Sequence, residues 1–171
     1  MSLYLLLYVG VESSYGAFIF SYAVDEYAMP AASAATLASV VWIAMTAGRL
    51  VGVPLTVALG DIKVVLVCSL IAMSANVALL LVNTPAMAWV STSVLGVAMG
   101  PLFAAAFNTA NVLGHTVSGR AASCQIVGAS LGDMLVPVAT GVLYSTTSPR
   151  ALLAVCLVCW ALCLVCWVNP P

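Results

Sequence analysis

The chain has 171 residues, of which 64% are hydrophobic and only 5% carry a charged side chain. Soluble domains carry about 25% charged residues, so this composition excludes an ordinary water-soluble fold and indicates a protein that lies in lipid. Four Lys and Arg residues in total form no basic patch, which argues against nucleic acid as a partner.

Apolar runs long enough to cross a membrane as helices, which takes about 20 residues each, follow one another along the chain. They predict six spans, at 3–24, 33–57, 64–82, 86–107, 121–143 and 151–168. Because the connections are short and polar, we expect sequential helices to be antiparallel neighbours. The sequence therefore predicts an all-α membrane protein, a six-transmembrane-helix bundle that forms a single domain over 1–171. The first run lacks the basic region and cleavage site of a signal peptide, so we interpret it as a span.

The charged residues of the short loops predict how the bundle is oriented. Lys63 and Arg120 fall on the side of the two termini, whereas Asp25, Glu26 and Arg150 fall on the opposite side. Basic loops tend to stay in the cytoplasm, which places both termini there. We expect an integral, multi-pass protein of the plasma membrane rather than of an internal membrane.

Small residues and prolines mark places where the helices are expected to pack closely or to bend. Glycine pairs at four-residue spacing predict close helix contacts, although glycine is also simply abundant here; the pairs are Gly48–Gly52, Gly96–Gly100 and Gly128–Gly132. Prolines within predicted spans predict either moving, cavity-lining segments or static kinks; they are Pro54, Pro101 and Pro137.

Three charged side chains fall inside the predicted spans, namely Glu12, Arg49 and Asp133. Each would cost roughly 3 kcal/mol if it faced lipid, so each is expected to face the bundle interior and is a functional candidate. Glu12 lies near the centre of the first span, with Tyr8 and Tyr15 at helical spacing on the same face. This grouping suits hydrogen bonding to a polyol, and the carboxyl could carry a proton. A protonated, purely structural glutamate is the alternative.

The remaining candidates are assigned with alternatives open. Asp133, near the centre of the fifth span, could assist substrate or cation binding or form a structural bond between helices. Arg49 is expected to form a gating or structural salt bridge, for which Asp61 could be the partner; direct contact with substrate is the alternative. Asn108 and Gln125, at the ends of the fourth and fifth spans, are further candidates for substrate binding.

Metal and cofactor chemistry find little support in the sequence. The single histidine, His115, falls in the longest loop and is expected to be solvated. The six cysteines lie in apolar runs and predict packed or lipid-facing positions; a metal or redox site in CLVCWALCLVC is the alternative. We therefore expect no metal and no cofactor other than a coupling H⁺ or Na⁺.

Catalysis and sugar stacking are the two remaining questions. Without a nucleophile–base pair we expect no enzyme, although an intramembrane enzyme built on Glu12 and Asp133 is a weaker alternative. Trp42 and Trp89 are interpreted as interface or packing residues near the outer ends of their helices, with stacking on a sugar ring as the alternative.

Stretches of matching order and spacing connect the chain to a known family; they are YVGVESSYGAFIFSYAVDE, TAGRLVGVPL and GRAASCQIVGASLGDMLVPVATGVLY. They resemble the C-terminal six-helix half of a major facilitator superfamily transporter, in the branch of fucose permease and the sodium-dependent glucose transporter 1-like proteins. The resemblance implies a twelve-helix carrier that binds substrate between two halves and alternates access by rocking. It also implies that Glu12 faces the central cavity, and that Arg49 and Asp133 are the charged residues of two family motifs.

The function predicted is that of a transmembrane transporter, or half of one, which moves a sugar or similar small polar solute with proton or sodium coupling. Its expected partners are the lipid bilayer, the small-molecule substrate, and either a missing N-terminal six-helix half or a second copy. A membrane subunit that packs against a full transporter without transporting is the alternative.

Overall fold

The computed structural model describes residues 1–112 and 119–168, so His115 lies outside the described residues. Within these ranges the assigned elements are helices, in the order α1 Ser2–Tyr27, α2 Ala31–Leu59, α3 Asp61–Leu81, α4 Pro85–Met99, α5 Leu102–Val112, α6 Gly119–Thr146 and α7 Ala151–Val168. Six stretches are long and apolar enough to cross a membrane, with α4 and α5 contributing together to the fourth. The all-α, six-span prediction is confirmed.

The helix ends follow from local sequence. Thr84 precedes α4, its Oγ1 accepts a hydrogen bond from the Met87 amide at 3.3 Å, and Pro85 occupies the first helical position. Gly60 joins α2 to α3 with a φ of 81°, a left-handed conformation that favours glycine. This single residue lets α3 begin directly after α2.

The fourth span is broken at Gly100 and Pro101, between α4 and α5. Proline has no amide hydrogen, so Pro101 cannot donate to the carbonyl one turn earlier, that of Val97. The break confirms that one of the three predicted prolines interrupts its helix. Pro54 and Pro137 instead lie within α2 and α6, which continue across them.

The α1–α6 contact, the most extensive between two helices of the bundle, closes through glycines. A Cβ added at Gly132 would overlap the carbonyl oxygen of Leu6, and one added at Gly128 would lie 2.7 Å from the carbonyl oxygen of Ser2. From the other side, a Cβ at Gly10 would clash with a side chain of α6. Backbone therefore meets backbone, as the spacing of Gly128 and Gly132 predicts.

The α2–α4 contact is built in the same way. A Cβ at Gly48 would overlap the Val97 carbonyl oxygen, and one at Gly96 would lie 2.7 Å from the Ala44 Cβ. Gly100 faces the backbone of α2, at Gly48 and the following residue. Both glycine pairs predicted on these helices are therefore packing positions.

Tyrosines on one face of α1 fix it to α3, α4 and the turn between them. Four tyrosine rings of α1 are buried, and the hydroxyl of each forms a hydrogen bond to a residue of another element. The pairs are Tyr4 with Ser69 Oγ (2.9 Å), Tyr8 with the Met99 carbonyl (2.9 Å), Tyr15 with Thr92 Oγ1 (2.9 Å) and Tyr22 with Asn83 Oδ1 (3.0 Å). The core around them includes Trp160 of α7, whose ring centroid lies 6.3 Å from that of Tyr8.

Polar side chains tie the helix ends together opposite the two termini. Asn83 donates to the Glu26 carboxylate and accepts from the Tyr27 hydroxyl at 2.5 Å. Arg150 reaches the same carboxylate at 2.8 Å, and this bond raises the pKa of its guanidinium. Three connections of the bundle are thereby joined at one end.

The cysteines of α7 mainly serve packing, as their apolar surroundings predict. Cys156, Cys159 and Cys163 are buried in the core, and Cys68 of α3 is buried as well. On α6, Cys124 is exposed.

Candidate functional site

A cavity of about 350 Å³ opens between α1, α2, α5 and α6. Its polar wall holds Glu12 of α1, Arg49 of α2, and Ser130 and Asp133 of α6. Apolar side chains complete it, among them Phe103, which follows the break in the fourth span. The structure thus brings together the three intramembrane charges that the sequence singles out.

Glu12 and Arg49 form an ion pair across the α1–α2 seam. The Glu12 Oε1 and Arg49 Nη2 atoms lie 3.9 Å apart, and the Arg49 side chain is 61% exposed whereas that of Glu12 is 15% exposed. Arg49 also approaches the Met45 sulfur at 3.4 Å. The guanidinium therefore has donors left for a ligand in the cavity.

The predicted pairing of Arg49 with Asp61 is wrong. Asp61 is the first residue of α3, and Arg49 lies ten residues before the end of α2, about 15 Å along the helix axis. No arginine side chain spans that distance, so Asp61 belongs to the helix end rather than to the cavity.

Asp133 faces the cavity from the opposite wall. Its carboxylate is exposed and accepts a hydrogen bond from Ser13, which links the centres of α1 and α6. One arginine and two carboxylates therefore share one cavity. Such a set can bind hydroxyl groups as donor and acceptor, and it can exchange a partner for a cation.

Tyr8 and Tyr15 share the helix side of Glu12, as predicted, but they lie inside the bundle and do not line the cavity. Both rings are fully buried, and both hydroxyls are bonded within the bundle. At about 100° per residue, Tyr8 and Tyr15 lie about 40° and 60° from Glu12, so Glu12 stands at the edge of the same stripe and the rotation of α1 in the bundle puts only its carboxylate at the cavity.

The two amide candidates differ in their environment. Asn108 of α5 is exposed. Gln125 of α6 is buried, and within the described part of the chain its Oε1 has no hydrogen-bond partner. Neither residue lines the cavity with Glu12, so substrate contact remains a prediction for both.

Trp42 lies where the sequence interpretation did not place it. It is eleven residues into α2, about 16 Å from the helix start, so the expected position near the end is wrong. Trp89, four residues into α4, does lie near its helix end. Trp42 and Arg49 are seven residues apart, which puts both on one helix face. This spacing is the signal in the sequence that could have revealed the position of Trp42.

The fold and the charged cavity define a multi-pass membrane protein with an intramembrane polar site. The chain is 34% identical over 157 residues to the sodium-dependent glucose transporter 1 of Danio rerio, a match covering 90% of this chain and 26% of that protein. It is 29% identical over 142 residues to the protein of that name from Homo sapiens, covering 82% and 27%. It is also 27% identical over 154 residues to the major facilitator superfamily domain-containing protein 4A of Xenopus tropicalis, covering 88% and 30%.

These matches relate the chain to the major facilitator superfamily and confirm the resemblance predicted from its motifs. The chain spans only about a quarter to a third of the length of these curated relatives. The relatives named for glucose are transporters and not enzymes, in agreement with the predicted absence of catalysis. No family model and no solved structure matches the chain.

Proposed function

We propose that this chain forms the C-terminal half of a membrane transporter that carries a sugar or a similar small polar solute by alternating access, coupled to protons or sodium ions. The observation that carries this proposal is the exposure of Arg49, 61% of whose side chain is exposed although it lies within a membrane-spanning helix. Two carboxylates, of Glu12 and Asp133, open on the same cavity.

The surface that carries Glu12, Arg49 and Asp133 is not suited to contact with lipid. A charged side chain at the bilayer centre costs roughly 3 kcal/mol or more, and three such residues share this cavity. Other faces of the bundle suit lipid well, because their exposed residues are large and apolar; examples are Leu50, Val57 and Leu81, at 73%, 85% and 77% exposure. We infer that the charged face meets water and a second helical unit, either an N-terminal half or a second copy.

The cavity has the chemistry that a polyol needs. Hydroxyl groups can donate to the carboxylates of Glu12 and Asp133 and accept from the guanidinium of Arg49. The 3.9 Å separation of Glu12 and Arg49 is longer than a hydrogen bond, so a substrate can insert without breaking a tight pair. A proton or sodium ion would bind at a carboxylate of this set. In the proposal both termini are cytoplasmic and the membrane is the plasma membrane.

A cysteine-labelling experiment tests whether the charged face is exposed to water. On α6, Ser130 lines the cavity, whereas Leu135, about 140° away around the helix, is 57% exposed on another face. In a Cys124→Ser background, a membrane-impermeant maleimide is expected to modify Ser130→Cys but not Leu135→Cys in intact vesicles. Equal labelling of the two variants, or preferential labelling at position 135, would show that this face is not a water-filled cavity.

Uptake of radiolabelled D-glucose into proteoliposomes tests the function itself. The chain is reconstituted alone, with added copies, and with the remaining part of the Danio rerio relative, under a sodium or a proton gradient. Gradient-dependent uptake is expected in an assembled form, and Glu12→Gln is expected to lower it at least tenfold. Asp61→Asn is the matched control and is expected to transport normally. If every assembly fails to take up sugar, the proposal of a transporter is wrong and that of a non-transporting membrane subunit replaces it.

A further inference from the structure

Two different stripes of exposed residues run along α2. One is polar and carries the ion-pair arginine; it consists of Ser39, Trp42, Thr46 and Arg49. The other is apolar and highly exposed; it includes Ile43, Leu50 and Val57, at 68%, 73% and 85%. At about 100° per residue the centres of the two stripes lie only about 60° apart, but Trp42 itself lies about 20° from Arg49 and about 80° from the centre of the apolar stripe. Trp42 is therefore closer in helical phase to the cavity residue Arg49 than to the residues that suit lipid.

The Trp42 ring rests on the backbone of α1. A Cβ added at Gly16 would lie 2.8 Å from the Cζ2 atom of the indole, so only glycine allows the ring to sit this close. The residue is nevertheless 49% exposed. A large flat ring thus packs against α1 while about half of the residue stays exposed.

This ring lies close to the charged cavity. Gly16 follows Glu12 by one helical turn, about 6 Å along α1, and Trp42 precedes Arg49 by two turns, about 10 Å along α2. The indole therefore extends the site along the α1–α2 seam by about the width of one pyranose ring. A membrane-interface role does not fit, because aromatic belts lie at the ends of spans and this residue lies well inside.

We infer that Trp42 is the stacking platform for the ring of the transported sugar. This inference rests on the proposed function. A pyranose has an apolar C–H face and a polar edge of hydroxyls. The C–H face packs on the exposed indole, and the hydroxyls at its edge reach Glu12 and Arg49. Stacking selects a closed ring, whereas the ion pair recognises hydroxyls in any polyol.

Transport kinetics of the assembly described above, in Trp42 variants, test this inference. Trp42→Leu keeps an apolar side chain in contact with Gly16 and removes the aromatic face, so the KM for D-glucose is expected to rise about tenfold. Trp42→Phe retains a ring and is expected to recover most of that loss. Trp89→Leu is the matched control and is expected to leave KM unchanged.

Inhibition by D-sorbitol separates stacking from a general disturbance of the site. Sorbitol has the hydroxyls of glucose without its ring, so its inhibition constant is expected to be the same in Trp42→Leu and in the unmodified chain. An unchanged KM for glucose in Trp42→Leu, or an equal weakening of glucose and sorbitol binding, would contradict the role of Trp42 as a stacking platform. If Glu12→Gln abolishes uptake while Trp42→Leu does not alter KM, the platform is refuted and the proposed function stands. Absence of uptake in the unmodified assembly refutes both.

Discussion

Gly132→Ala is expected to destabilise the bundle by separating α1 from α6. The added Cβ would overlap the Leu6 carbonyl oxygen and would lie 2.7 Å from its carbonyl carbon and 2.9 Å from its Cα. Carbon contacts are optimal at about 3.5–4.0 Å, so the two helices must move apart by about 1 Å here. All these atoms belong to the backbone, so no side-chain rotation can relieve the clash.

The expected size of the effect follows from this geometry. Overpacking a well-packed contact costs about 1–3 kcal/mol, and we expect about 3 kcal/mol because backbone opposes backbone in the most extensive helix contact. In a chain of this length each kcal/mol lowers Tm by about 2–4 °C, so a decrease of about 6–12 °C is expected.

A thiol-reactive dye in a thermal ramp measures this change. Cys68, Cys156, Cys159 and Cys163 are buried and become reactive on unfolding, in a detergent that preserves the native bundle. Gly119→Ala is the matched control on the same helix, because a Cβ there meets nothing within 4 Å. A Tm for Gly132→Ala equal to that of the control would refute the close-contact reasoning.

Two further stability predictions use the same assay. Tyr8→Phe removes the donor to the Met99 carbonyl at the break between α4 and α5, so it is expected to cost about 1–3 kcal/mol; an unchanged Tm would mean that this carbonyl finds another donor. Asn83→Ala leaves the Glu26 carboxylate and two tyrosine hydroxyls without their shared partner and is expected to lower Tm more than Arg150→Gln, which removes only an exposed ion pair. The reverse order would contradict the role given to Asn83.

The sequence by itself determined the features that depend on local composition. A run of about 20 apolar residues crosses a bilayer whatever it packs against, so the spans could be predicted, apart from their limits. Charges within such runs cannot face lipid, so Glu12, Arg49 and Asp133 were recognisable as a set. Glycines four residues apart, such as Gly128 and Gly132, predicted contacts because small residues let membrane helices approach closely.

Only the tertiary structure decided which residues meet. Helical periodicity shows that Tyr8 and Tyr15 lie near Glu12 on α1, but only the rotation of α1 against α3 and α4 buries both tyrosine rings and brings the mostly buried Glu12 side chain to the cavity wall. The partner of Arg49 likewise depends on which helix lies beside α2 at that depth. The close approach of the Trp42 ring to α1 depends on Gly16, a residue on another helix. Each of these facts is a property of two helices together, and neither sequence segment contains it alone.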